Sequence, residues 1–151
     1  MHGVSVSTPV GDILVAEEDG YIVRVRWSSQ RQTADTPLLR EASDQLGAYF
    51  RAERTQFDLP LRPGGSPFQR DVCKAMSAIP FGETRTYGEL AEELGAFAQA
   101  IGQACGNNPI PIIIPCHRVL GASGLGGFSG GDGLETKMQL LRHEGAFPYL
   151  L

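Results

Sequence analysis

The chain has 151 residues, of which 42% are hydrophobic and 20% are charged. This length and balance suit one ordinary domain or two small ones, and they exclude a disordered or fibrous chain. The formal net charge of −4, with no basic excess in either half, argues mildly against binding to nucleic acid. Any function on DNA must therefore rest on local geometry.

The N-terminus, the apolar runs and the cysteines indicate where the protein is located. The N-terminus lacks the pattern of a signal peptide, and the longest apolar run, residues 110–116, is too short to span a bilayer. We therefore expect a cytoplasmic protein that makes no contact with membranes. The cysteines at positions 73, 105 and 116 are odd in number and lack metal-ligand spacing, so we expect free thiols, no metal and no cofactor.

Three short β-branched runs open the chain, at residues 3–8, 12–17 and 21–27. Asp19 and Gly20 between the last two indicate a hairpin, because a tight turn needs positive φ angles. Apolar residues at helical spacing predict an amphipathic helix over residues 37–53, and residues 57–61 add a possible edge strand. We expect a small antiparallel sheet covered by one helix.

Residues 63–65, Pro-Gly-Gly, predict a linker between two domains, 1–62 and 63–151. The second domain starts with a helix, because residues 66–69 (Ser-Pro-Phe-Gln) supply an N-cap, a first-turn proline and the glutamine of a capping box. Pro80 ends this helix.

Two short helices follow. Residues 86–89, Thr-Tyr-Gly-Glu, form another capping box and begin a helix that Gly95 ends. The next helix is predicted from about residue 96 to residue 105. Two short helices joined by a tight glycine turn are typical of a helix-turn-helix.

A last helix is predicted near the C-terminus. Asp132 suits its N-cap, and Gly145 suits the position after its last turn. Its apolar face consists of Leu134, Met138 and Leu141. With the N-terminal sheet, these helices predict an α+β fold whose second part is mostly helical.

The segment 106–119 holds the candidate chemistry. Its three prolines restrict φ and exclude a regular helix, so we expect a stiff, largely buried, extended stretch that presents Cys116 in one orientation. A buried free cysteine is most often a small core residue. His117 and Glu144 favour a chemical role, because a thiolate nucleophile needs a base, here through a water molecule, and a carboxylate to orient that base. Each also has a structural interpretation, as a hydrogen-bonded histidine and a solvated acid at a helix end.

Residues 115–119, Pro-Cys-His-Arg-Val, resemble the active-site signature of the O6-alkylguanine-DNA alkyltransferases, also called methylated-DNA–protein-cysteine methyltransferases. The likeness continues in Asn-Pro at 108–109, in the glycine-rich run 126–131 and in His-Glu-Gly at 143–145. The likeness covers residues 66–146 in order. Four motifs in the order found in the family are a highly specific indication of membership.

The resemblance implies an RNase H-like roll followed by a winged-helix-like domain with the helix-turn-helix. It also implies a monomer that transfers an alkyl group once, irreversibly, from O6-alkylguanine in double-stranded DNA to Cys116. In this interpretation His117, a water molecule and Glu144 activate the thiol. Asn108 is the hinge that ties the helix-turn-helix to the cysteine segment.

The same resemblance assigns the contacts to DNA and to the base. Tyr87 assists nucleotide rotation and donates toward the base, and its place in the first turn of a capped helix suits a phosphate. The backbone carbonyls of Cys116 and Val119 accept from the exocyclic amine of the flipped guanine, and Ser129 holds the O6 side. Further contact positions are Gln99, Cys105, Arg118 and Phe128. The small residues of the helix from residue 96 suit a minor groove, although close packing between helices explains them equally well.

Three features depart from the family pattern. Gln99 stands where the family has an arginine that fills the gap left by the flipped base, and the turn after Leu94 is about two residues shorter. Phe128 replaces a frequent tyrosine. We therefore expect DNA binding that is weaker than in arginine-bearing relatives, with strong salt sensitivity.

Two other functions fit part of the sequence. Alkyltransferase-like proteins bind alkylated DNA without catalysis, but they usually carry tryptophan in place of the cysteine, so Cys116 favours the enzyme. A cysteine hydrolase built on Cys116, His117 and Glu144 would regenerate its thiol, whereas a thioether is not hydrolysed under ordinary conditions.

Overall fold

The computed structural model describes residues 1–122 and 124–146, in which the chain forms two compact units. The first unit ends at Pro63 and the second begins at Gly64. The elements are β1 (His2–Thr8), β2 (Gly11–Glu18), β3 (Tyr21–Trp27), α1 (Pro37–Phe50), α2 (Pro67–Ser77), β4 (Arg85–Thr86), α3 (Tyr87–Leu94), α4 (Ala98–Gly106), a 3₁₀ turn (Cys116–Arg118), β5 (Val119–Leu120) and α5 (Leu134–His143). This confirms the α+β class.

The first unit contains an antiparallel sheet in the order β1-β2-β3, with α1 packed on β1 and β2. Asp19 and Gly20 take φ angles of 53° and 81°, which confirms the predicted hairpin. The expected edge strand over residues 57–61 was wrong. One parallel bridge joins Leu61 to Ile22 instead, because Pro60 has no N–H with which to extend a ladder.

Helix α1 begins where Thr36 accepts a hydrogen bond from the backbone N–H of Leu39, with Pro37 in the first turn. It ends at Phe50, three residues before the predicted end at residue 53, and Ala52 then takes a positive φ of 60°. A left-handed residue cannot continue a helix, so the chain turns there.

Helix α2 opens the second unit with the expected Ser66 cap, whose hydroxyl accepts from the backbone N–H of Gln69. The predicted capping box was only half correct. The Gln69 side chain donates to the backbone carbonyl of Ala104 at 2.8 Å, and so it links α2 to α4 instead of closing the cap.

Helices α3 and α4 pack on each other as the predicted helix-turn-helix. Thr86 and Glu89 form the full capping box, and Gly95 closes α3 in a left-handed conformation. Helix α4 starts at Ala98, two residues after the predicted start, with Phe97 at its N-cap. Strand β4 pairs in parallel with β5, which brings the first turn of α3 beside the residues that follow the cysteine.

The cysteine segment is buried as expected, but the expectation of an extended chain was wrong. The backbone N–H of Ile114 donates to the carbonyl of Ile110, and Ile112 takes a positive φ of 73°. A 3₁₀ turn then carries Cys116, His117 and Arg118. The prolines exclude a long helix, yet they permit these single turns.

Two predictions for α5 were wrong. Gly133 occupies the N-cap, and the backbone N–H of Asp132 donates to the hydroxyl of Thr136. Leu134 is exposed, and the buried face is made of Thr136, Lys137, Leu140 and Leu141. Gly145 follows the helix with a φ of 77°, as predicted. Within the part of the chain that the structure describes, no helix is long and apolar enough to cross a membrane.

Candidate active site

The carboxylate of Glu144, just after α5, is the centre of a buried polar cluster. One oxygen accepts from Nε of Arg118 at 2.8 Å, and the other contacts Nε2 of His117 at 2.8 Å and Nη2 of Arg118 at 2.9 Å. All three side chains are buried. The structure therefore brings together His117 and Glu144, which lie 27 positions apart in the sequence.

The ionisation of this cluster follows from its contacts. Burial favours the neutral form of Glu144, but hydrogen bonds from His117 and Arg118 and the guanidinium charge outweigh burial and hold its pKa well below the ordinary value. Burial lowers the pKa of His117 despite the nearby carboxylate. At neutral pH the cluster therefore consists of an ion pair and a neutral imidazole.

The tautomer of His117 follows from the same contact. A carboxylate only accepts hydrogen bonds, so Nε2 carries the proton and Nδ1 has a free lone pair. Nδ1 is buried and has no hydrogen-bond partner within residues 1–122 and 124–146. The imidazole is therefore able to accept a proton at Nδ1.

Cys116 lies at the start of the 3₁₀ turn and is buried. Burial raises the pKa of its thiol to about 11, against the lowering effects of an Asn108 hydrogen bond and of the Lys137 charge. The resting residue is a thiol at neutral pH. It needs a base before it acts as a nucleophile.

Asn108 holds the segment that presents the thiol. Its amide nitrogen donates to the carbonyl of Ile114 at 2.8 Å, and its amide oxygen accepts from the backbone N–H of Ile110 at 3.0 Å. These contacts close the turn between the end of α4 and Cys116. The role of Asn108 as a hinge stays a prediction.

Arg118 is a predicted contact position whose side chain has partners within the protein. Its guanidinium is buried, pairs with Glu144 and donates from Nη1 to the carbonyl of Ile79 at 2.6 Å. With these partners it neutralises the carboxylate. Its contact with DNA stays a prediction.

The glycine-rich segment closes against Tyr87. A Cβ on Gly126 would lie 2.7 Å from the Tyr87 ring, and the φ of Gly126 is +73°, so only glycine fits there. The Tyr87 hydroxyl donates to the carbonyl of Gly127 at 3.5 Å. The half-buried Tyr87 is thus held beside the cysteine segment.

Lys137 is the polar residue of this region that the sequence interpretation missed. Its side chain is 0% exposed, and its ammonium donates to the carbonyl of Val119 at 2.7 Å and to that of Gly127 at 3.1 Å. The same ammonium lies 5.7 Å from the centre of the Tyr87 ring. Its helical spacing to Leu140 indicates the buried side of α5, but this signal is weak because a lysine is rarely fully buried.

The remaining expected site residues are dispersed. Gln99 is exposed in the first turn of α4, and Phe128 is half-buried in the glycine-rich segment. The hydroxyl of Ser129 donates to the carbonyl of Gly106 at 3.1 Å. Cys105 is buried, with its sulfur 3.5 Å from that of Met76. Their contacts with DNA stay predictions.

Two family profiles match this chain along most of its length. The 6-O-methylguanine DNA methyltransferase DNA-binding domain matches residues 67–146, and the ribonuclease-like domain of the same protein matches residues 2–63. The second match confirms the ribonuclease-like fold expected for the N-terminal part.

Individual relatives agree with the profiles. The methylated-DNA–protein-cysteine methyltransferase of Mycolicibacterium paratuberculosis is 45% identical over 150 residues, covering 93% of this chain and 90% of that protein. The constitutive enzyme of Bacillus subtilis is 40% identical over 154 residues, with 93% of both chains covered.

Solved structures give the same result. The crystal structure of Mycobacterium tuberculosis O6-methylguanine methyltransferase has a TM-score of 0.85 and 41% identity, covering 96% of this chain and 93% of that one. The OGT protein of the same organism, in complex with DNA, has a TM-score of 0.87 and 42% identity, covering 97% and 94%. Because the profiles and these relatives span both units, the chain belongs to the methylated-DNA–protein-cysteine methyltransferase family.

Proposed function

We propose that this protein repairs DNA by direct, stoichiometric transfer of an alkyl group from O6-alkylguanine to Cys116. The observation that carries the proposal is the buried chain of Glu144 and His117 beside the cysteine, with an unpartnered Nδ1 on the imidazole. This is the arrangement that a thiol with a raised pKa needs for activation.

In the proposed reaction, Nδ1 of His117 takes the thiol proton of Cys116 through a water molecule. The thiolate then attacks the alkyl carbon, so that a carbon–sulfur bond forms while the bond from carbon to O6 breaks. The electron pair passes to the guanine, which takes up one proton. Glu144 stabilises the imidazolium formed in the first step. The thioether product has no leaving group, so each molecule acts once.

Tyr87 is the proposed proton donor toward the base. Burial raises the pKa of its hydroxyl, so the group stays protonated at neutral pH. The backbone carbonyls of Cys116 and Val119 accept hydrogen bonds from the exocyclic amine of the guanine. The Val119 carbonyl also accepts from the Lys137 ammonium, and its oxygen has two lone pairs for these two donors. Ser129 is assigned to the O6 side.

The proposed partner is double-stranded DNA, approached by α4 from the minor groove with the damaged base flipped out. Base flipping lets a side chain reach an atom that is otherwise stacked in the duplex. The exposed start of α4, with Gln99 in its first turn, is the part that enters the groove. We assign DNA binding and alkyl acceptance to domain 63–151, in a monomer located in the cytoplasm.

The test of the reaction uses intact-protein mass spectrometry after incubation with an oligonucleotide that contains O6-methylguanine. We expect a gain of one methylene for the wild-type protein and none for Cys116→Ala. Binding without a mass gain would instead support a non-catalytic sensor. Repair of more O6-methylguanine bases than there are protein molecules would support a hydrolase. Either result would overturn the proposal.

The proposed role of Gln99 predicts that Gln99→Arg tightens binding to lesion-containing duplex and steepens its salt dependence by about one counterion. A fluorescence-anisotropy titration at several salt concentrations measures both quantities. Gln56→Arg makes the same charge change on the first unit and serves as the control. Equal effects of the two substitutions would show that Gln99 has no special place in the interface.

A further inference from the structure

Phe97 is an exposed aromatic residue in the turn between α3 and α4. Its side chain is 84% exposed, and Leu134 at 48% is the other exposed large hydrophobic residue that the structure describes in the second unit. Water does not favour an exposed phenyl ring, but single exposed apolar side chains are common on protein surfaces. The position and the surroundings of Phe97 therefore decide what the ring does.

The position of Phe97 is one where a polar residue is preferred. Phe97 is the N-cap of α4 and makes no side-chain cap hydrogen bond. Helices α1, α2 and α3 each begin with a serine or a threonine whose hydroxyl accepts from the first turn. The chain thus uses this stabilising cap at three other helices, whereas an aromatic ring replaces it at α4. A break in a local rule of this kind is typical of a functional position.

The ring stands alone among small residues. Positions 95, 96 and 98 hold glycine and alanine, and Ala98 and Gln99 beside it are exposed. A stable protein–protein interface buries about 800 Å² on each partner, which one ring with such neighbours does not supply. The small residues instead let the backbone approach a narrow groove, with the ring as the protruding group. This shape fits a slot as wide as one ring, such as the gap between two neighbouring base pairs.

The charge of the helix-turn-helix favours the same partner. Residues 87–106 carry three glutamates and no lysine or arginine, so contact with phosphates brings them no electrostatic gain. The proposed approach of α4 to DNA must then depend on contacts with the bases. Stacking of an aromatic ring on a base is such a contact, and it needs no charge on the protein.

We propose that Phe97 is a wedge that inserts between two stacked bases beside the damaged guanine when α4 enters the minor groove. Its stacking replaces part of the affinity that phosphate contacts would supply. Opening the base step also lowers the cost of rotating the damaged nucleotide out of the duplex. Phe97 is a positioning residue, because it acts on the delivery of the base and not on the reacting atoms. This role rests on the proposed function, which places α4 at the lesion.

The first test measures binding of Phe97→Ala to a duplex that contains O6-methylguanine, by fluorescence anisotropy at several salt concentrations. We expect about tenfold weaker binding at every salt concentration, because the loss of one aromatic–base stack involves no counterion. Tyr21→Ala removes an exposed aromatic ring from the first unit and should bind as the wild-type protein does. Unchanged binding by Phe97→Ala, or equal losses in the two variants, would overturn the proposal.

The second test observes the stacking directly. Phe97→Trp places an indole at the start of α4, and the wild-type protein supplies the background signal of Trp27, the one natural tryptophan. Stacking on bases should quench the fluorescence of the introduced indole and protect it from acrylamide when the duplex is added. An indole that stays accessible in the bound state would overturn the wedge. Dimeric wild-type protein that becomes monomeric in Phe97→Ala would also overturn it, because the ring would then bind a second copy.

The third test separates the wedge from the proposed repair reaction. The rate of methyl transfer to Cys116 is measured with the duplex and with the free base O6-methylguanine, which needs no rotation out of a stack. We expect Phe97→Ala to lose about tenfold with the duplex and nothing with the free base. Equal losses with both substrates would overturn the proposal, because they indicate a distorted site. Wild-type protein that gains no methyl group from either substrate would refute the function, while the binding and fluorescence tests still decide whether Phe97 stacks on bases.

Discussion

Glu144 combines two roles at the scale of a single residue. Its carboxylate orients His117 by accepting from Nε2, and it balances the buried guanidinium of Arg118. A buried charge that loses its partner is strongly destabilising, whereas an exposed pair contributes little. The residue that orients the His117 imidazole therefore also stabilises the fold.

The first prediction concerns stability. Glu144→Gln leaves the Arg118 guanidinium buried without a counter-charge, so we expect the free energy of unfolding to fall by about 3–5 kcal/mol. Urea denaturation at pH 7 measures this change. The control is Glu53→Gln, which breaks the exposed pair with Arg51 and should cost no more than about 1 kcal/mol. Equal costs for the two substitutions would show that Glu144 is not a buried partner.

The lowered pKa of Glu144 also predicts an acid dependence of stability. A carboxyl whose pKa is lower in the folded than in the unfolded state stabilises the fold above the unfolded value of 4.5, and this contribution is lost as the pH falls below it. Urea unfolding of the wild-type protein between pH 6 and pH 3 should show this loss. The free energy of unfolding should fall progressively once the pH drops below the unfolded pKa of Glu144. Glu144→Gln should lack this component, and parallel curves for the two proteins would contradict the assignment.

The start of α4 is the feature of interest at the scale of elements. Phe97 occupies the N-cap in an extended conformation, makes no side-chain cap hydrogen bond and is 84% exposed. Serine, threonine, asparagine and aspartate are preferred at this position because they bind the free N–H groups of the first turn. The helix therefore begins without the contact that stabilises α3.

Phe97→Ser should raise the free energy of unfolding by about 1 kcal/mol, because a hydroxyl there can accept from the first turn of α4. The measurement is the midpoint of urea unfolding at constant m-value. Phe97→Ala removes the same exposed ring without adding a cap and is the matched control. A serine variant that is no more stable than the alanine variant would show that the missing N-cap of α4 does not lower the free energy of unfolding.

The elements also show how far the sequence predicts the structure. The cap of α3 could be predicted because Thr86 and Glu89 contact each other within one turn. The cap of α5 could not, because Asp132 lies outside the helix and Thr136 binds its backbone N–H. Local sequence patterns identify contacts between close neighbours. The choice of another hydrogen-bond partner depends on the conformation of the loop before the helix.

The same limit applies to the site. Motif order predicts Cys116, His117 and Glu144, and the structure brings the histidine and the carboxylate together. The buried position of Lys137 depends instead on the glycine-rich segment, whose carbonyl reaches it only in the folded chain. A lysine is rarely fully buried, so the sequence favours a solvated side chain.

At the scale of the whole molecule, the net charge of −4 contrasts with a family that acts on DNA. The buried charges described above, on Arg118 and Lys137, face inward and contribute little to any basic surface. The helix-turn-helix itself, residues 87–106, carries three glutamates and no lysine or arginine, so it supplies no electrostatic attraction to phosphates. This is the physical reason for expecting weak binding to DNA.

The central claim is that Cys116 accepts one alkyl group, once. The most direct measurement titrates the protein with an excess of O6-methylguanine oligonucleotide and maps the methyl group by peptide mass spectrometry. We predict that repair stops at one methyl group per protein molecule and that the whole signal lies on the Cys116 peptide. Methylation of Cys73 or Cys105, or repair that continues beyond one equivalent, would contradict the claim.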